Sequence, residues 1–85
     1  MKVVAKPIEV ICWFNMKGIH PIKFRIEEEG KYQVIKIEKV ISSETEKLCG
    51  NRMILFTCNA IIDNVEKIFE IKYDIEGCAW LLYKI

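Results

Sequence analysis

Ile22-Lys23-Phe24-Arg25-Ile26-Glu27-Glu28 is the stretch on which the fold is read, because apolar and charged residues alternate through it without interruption. A period of two places Ile22, Phe24 and Ile26 on one side of an extended chain and Lys23, Arg25 and Glu27 on the other, the pattern of a half-buried β-strand. Working outward, turn-forming residues recur at Asn15 to Gly18, Glu28 to Gly30, Ser42 to Asn51, Asp63-Asn64 and Glu76-Gly77. Short segments punctuated at such spacing read as an all-β sandwich or barrel. Six strands are expected: Ile8 to Asn15, Ile22 to Glu28, Lys31 to Ile41, Arg52 to Ile62, Val65 to Asp74 and Cys78 to Ile85. The topology with the shortest connections is an antiparallel meander, closed or nearly closed into a small barrel, SH3-like or sandwich-like.

Particular segments refine this expectation. In the third, Tyr32 and Val34 share one parity while Ile35, Ile37 and Ile41 share the other, which a β-bulge near Val34-Ile35 would reconcile. Asp63-Asn64 reads as a tight hairpin, since both residues tolerate the left-handed region. Ser42 to Asn51 reads as a long polar loop, with one helical turn the most that Ser43 and Glu46 could cap. Met53 to Phe56 and Ala79 to Tyr83 are apolar on both parities, so each such strand needs a cover on its second side.

Length and composition agree with a single small β-domain spanning residues 1–85. Eighty-five residues hold one core, and 52% hydrophobic against 29% charged residues exclude disorder and low complexity. Fifteen Ile and six Val against four Leu and three Ala favour pleated strands. Their placement argues more than their number, because the isoleucines alternate with charges in the second segment and cluster in the fourth.

Charge and cysteine usage bear on compartment and chemistry. The net charge of +1 is far from the basic balance of a dedicated nucleic-acid binder. No secretory signal pattern and no apolar run of membrane-spanning length occurs, so a cytoplasmic protein without membrane partners is expected. In that compartment Cys12, Cys49, Cys58 and Cys78 stay reduced. Their spacing lacks a Cys-x-x-Cys pair, and the sole histidine, His20, precedes Pro21; buried hydrophobes are expected at Cys12, Cys58 and Cys78 and an exposed thiol at Cys49. The glutamates Glu27 to Glu29 read as a solvated hairpin tip. Without a phosphate-binding loop, a GxSxG elbow or a base beside a nucleophile, no catalytic residue, cofactor or metal is assigned and no enzyme is expected.

Two surfaces remain. Lys23, Arg25 and Lys36 would share a side of a hairpin with Tyr32, the ingredients with which small barrels stack bases and track phosphates. Trp13 and Phe14, adjacent on a strand, must face opposite ways, so one of them lies outside the core; with Leu81 and Tyr83 of the last strand, Trp13 marks a candidate homodimer surface. The expected function is a non-catalytic binding or interaction module that self-associates or meets a protein partner; a small nucleic-acid-binding barrel is the alternative.

His20-Pro21, Phe24-Arg25, Tyr32-x-Val34, Phe69-Glu70-Ile71-x-Tyr73-Asp74 and Trp80-x-Leu82 together resemble a pattern in small bacterial β-domains of unknown function. The resemblance covers most of the chain after Pro7. It implies an all-β fold and, through similar domains that accompany damage-tolerance polymerases, a connection to nucleic acid.

Overall fold

The computed structural model describes the backbone of residues 1–85 and every side chain except that of Leu48. Seven strands follow one another: β1 (Val3–Asn15), β2 (Gly18–Glu28), β3 (Lys31–Lys36), β4 (Lys39–Leu48), β5 (Asn51–Ile62), β6 (Val65–Asp74) and β7 (Ala79–Lys84). Each neighbouring pair is antiparallel, and the order across the sheet is β3-β2-β1-β7-β6-β5-β4. The meander is therefore joined through β1 and β7 but left open between β3 and β4, which makes a half-barrel rather than a closed one.

The all-β antiparallel meander holds, with two corrections. There are seven strands where six were expected, because the third expected strand ends at Lys36 and its last residues, from Lys39, run on through the polar stretch read as a loop to form β4, with no helical turn. Its polarity suits its place. Ser43 and Thr45 turn toward the concave side opposite Phe56 and Ile54, while Glu44 and Glu46 turn to the convex side opposite Leu55 and Met53, so alternation was present without apolar residues to reveal it. The expected bulge near Val34-Ile35 is absent, since β2 and β3 stay in register from Lys23↔Lys36 to Glu28↔Lys31. The strand breaks after Lys36 without a change of parity, since Ile35 and Ile37 are both buried. The Ile37 amide donates to the Ile22 carbonyl at 2.9 Å and the Glu38 amide to the Asn59 carbonyl at 2.9 Å, so this junction ties the two halves together. A bulge between Val40 and Ser42 then leaves Ile41 outside.

Three of the hairpins use two-residue turns with positive φ at both positions: Glu29-Gly30 (53° and 77°), Cys49-Gly50 (52° and 84°) and Asp63-Asn64 (51° and 64°). That geometry matches the right-handed twist of the flanking strands. Asn64→Val, a β-branched side chain forced into the left-handed region, is expected to cost about 1–2 kcal/mol, read as a lower urea midpoint at unchanged slope.

The concave side carries the core, drawn from both halves. Ile8, Phe24, Ile26, Ile35 and Ile37 from the first meet Phe56, Cys58, Ala60, Phe69, Ile71 and Leu82 from the second. Phe24 and Phe69 cross between them, with ring centroids 5.5 Å apart and a tilt of 58°.

The convex side of β4 to β7 has a small cover of its own. Lys72 ion-pairs with Glu46 at 3.0 Å and lays its ammonium 3.8 Å from the centre of the Tyr83 ring. Opposite Lys72 in the register stand Leu55 and Leu81, so one lysine stem and its partners shield the second side of β5 and β7.

Candidate functional site

β1 changes partner halfway along. Val3 to Ile8 pairs with β7, and Glu9 to Asn15 pairs with β2, with a register shift where Cys12 meets Pro21 and Ile22 is the extra residue of β2. The β1–β2 hairpin beyond this change is a two-stranded ribbon, extended at its base by β3. At its end the Asn15 side-chain oxygen accepts from the Lys17 amide at 2.8 Å and lies 3.0 Å from His20 Nε2, so the single imidazole is engaged in shaping the turn.

The register defines the convex side of β1, β2 and β3 row by row. Trp13 stands beside His20; Ile11 beside Lys23, which stands beside Lys36; Glu9 beside Arg25, which stands beside Val34; and Glu27 beside Tyr32. All four residues singled out for a charged face, Lys23, Arg25, Tyr32 and Lys36, are brought together here, and Trp13 closes the same side. Ile11, Trp13, Tyr32 and Val34 are 59, 70, 54 and 62% exposed, so apolar surface is interleaved with the cations. A hollow of about 440 Å³ between Glu9, Ile11, Lys23, Arg25 and Val34 occupies its centre.

Electrostatics divide the cations. Arg25 Nε donates to Glu9 Oε1 at 2.8 Å, and its guanidinium carbon lies 4.3 Å from the centre of the Tyr32 ring. Hydrogen bonding to Glu9, then that carboxylate's charge, make Arg25 hold its proton more firmly still. Hydrogen bonding to Glu27 and its negative charge push the Tyr32 phenol above its usual range. Arg25 is thus already matched by a carboxylate and covers one side of Tyr32. Lys23 and Lys36 face each other across β2 and β3, and among the described residues neither forms an ion pair.

The proposed dimer residues do not share one place. Pro7, not Trp13, is the β1 residue opposite Leu81, so Trp13 lies six residues, roughly 20 Å, farther along the strand. Leu81 and Tyr83 are half-buried beside Lys72. The cysteines also separate: Cys58 is fully buried, Cys12 half-buried, and Cys49 and Cys78 exposed. Cys78 departs from its expected burial because it sits in the β6–β7 turn at φ 52°, before the last strand begins. Among the described residues, no three His, Cys, Asp or Glu side chains converge as ion ligands.

Sequence reasoning missed Glu9, Ile11 and Val34. The alternation Glu9-x-Ile11-x-Trp13 signals that these three share a side, but which strand they lie beside depends on a bulge that no motif announces. Set beside known proteins, the chain matches no family model, no curated protein and no solved structure.

Proposed function

We propose that the chain is a non-catalytic interaction module of the cytoplasm that self-associates and that works through the convex side of β1, β2 and β3. The observation that carries this reading is the exposure of Ile11, Trp13, Tyr32 and Val34 on one continuous side of the sheet, away from the core. Small domains rarely leave so much contiguous apolar area wet unless something covers it. Four free thiols, two of them exposed, suit a reducing compartment. Sedimentation from low-micromolar to millimolar concentration tests self-association, which a constant monomer mass would overturn.

A second reading, binding to single-stranded nucleic acid, is favoured by the Lys23–Lys36 pair. Like charges directly opposite on neighbouring strands are destabilising, and a bound phosphate would relieve them next to the exposed Trp13 ring. The expected signature is paired. Lys36→Glu should stabilise the fold by about 0.5 kcal/mol while weakening oligonucleotide binding and reducing its logarithmic salt slope by about one. Fluorescence anisotropy with a labelled oligonucleotide and urea denaturation read the two arms. Absence of binding at low salt ends this reading and leaves the first standing.

A further inference from the structure

The point where β1 changes partner leaves a backbone edge open. On the side away from β2, β7 follows β1 only as far as the Ile8↔Trp80 pair; β7 begins at Ala79, and the chain before it turns back toward β6. From Glu9 to Asn15, therefore, β1 has a strand neighbour on one side only.

The other open edges are guarded. β3 carries Lys31 and Lys36, β4 carries Lys39, Glu44, Glu46 and Lys47, the part of β6 beyond β7 carries Glu66 and Lys67, and the part of β2 beyond β3 carries Pro21, all of which discourage pairing with another chain. Glu9-Val10-Ile11-Cys12-Trp13-Phe14-Asn15 carries a single charge, at its end, and Glu9 is already matched by Arg25. The extra residue of the adjacent bulge belongs to β2, so β1 itself runs regularly here; its one positive φ is at Ala5. Ile11, Trp13 and Phe14 stand 59, 70 and 64% exposed around this edge.

We propose that a second copy of this chain pairs along this edge, strand β1 against strand β1, antiparallel about a two-fold axis at Cys12. The inference rests on the self-association proposed above and gives it a geometry. Two identical strands in antiparallel register satisfy a two-fold axis automatically, and main-chain bonds supply what an open edge lacks. The seven-residue segment is centred on Cys12, so this register uses all of it. Ile11 then faces the partner's Trp13 on the convex side, Val10 faces the partner's Phe14 on the concave side, and Glu9 faces the partner's Asn15. No like charges meet, and each aromatic ring lies against a β-branched side chain, a favourable cross-strand combination. The two convex sides merge into one.

The test combines mass and register. In a Cys49→Ser, Cys78→Ser background, mild oxidation should link Cys12 to the partner's Cys12 as a reducible dimer. With Cys12→Ser added, an equimolar mixture of Ile11→Cys and Trp13→Cys chains should cross-link several-fold more than either chain alone. Sedimentation of the unmodified protein is run alongside. A dimer with neither cross-link overturns the β1 edge while leaving self-association intact. A monomer throughout overturns both.

Discussion

Phe69→Ala is expected to remove about 3–5 kcal/mol of stability, a large part of what a domain of this size possesses. Phe69 has no exposed surface and stacks on Phe24, itself 1% exposed. The pair holds more than its own area. Since β3 and β4 are not hydrogen-bonded to each other, the open side of the half-barrel is held by the junction after Lys36 and by side chains that meet across the concave space. Phe24 comes from β2 and Phe69 from β6, so truncating either ring leaves a cavity where the two halves touch. Tilted aromatic pairs add roughly 0.5–1.5 kcal/mol beyond area, and a double-mutant cycle of Phe24→Leu and Phe69→Leu should return a coupling of that size. Equilibrium urea unfolding measures both quantities. A loss below about 1 kcal/mol for Phe69→Ala would show that the halves are held elsewhere.

The strands that could be read from the chain are those whose inward positions are apolar. Ile22 to Glu28 announces β2 through strict alternation, and Asp63-Asn64 marks the β5–β6 turn because both side chains tolerate the φ that the turn requires. β4 was hidden by its place at the end of the sheet, where Ser43 and Thr45 suffice on the inward side, and by a turn whose first residue, Cys49, is not a usual left-handed one. The charged surface was half legible. Lys23, Arg25, Tyr32 and Lys36 follow from parity once the Glu29-Gly30 hairpin fixes the register. The Glu9 carboxylate that takes up Arg25 does not, because it depends on where β1 leaves β7 for β2. Nor does the cover over Leu81 and Tyr83, since Lys72 looks from sequence like any charged residue on a wet parity, whereas its stem and ammonium lie across the neighbouring strand.

The second large effect concerns alkaline pH. Cys58 lies at the centre of the core between Val40 of β4 and Phe69 of β6, and burial pushes its thiol from 9.0 up to about 12. The raised value belongs to the folded state, so the stability it represents is fully present below about pH 9, where both states keep the proton, and is lost as pH rises toward 12, where unfolding releases a thiolate into water. The slope is about 1.4 kcal/mol per pH unit across that window, on the order of 4 kcal/mol in all. Tyr73 also holds its proton above its usual range, through hydrogen bonding to the Cys78 thiol first and burial second. Cys58→Ala separates the contributions. At neutral pH the variant should be less stable than the parent by about 1 kcal/mol, the cost of a small void. Because alanine has no proton to lose, the two urea-derived stabilities should converge as pH rises and cross near about pH 10. A constant difference from pH 7 to 11 would mean that the thiol ionises as readily in the fold as in water. The same burial keeps Cys58 in its unreactive protonated form at neutral pH, so thiol reagents should modify exposed Cys49 and Cys78 at once and reach Cys58 only as fast as the half-barrel opens.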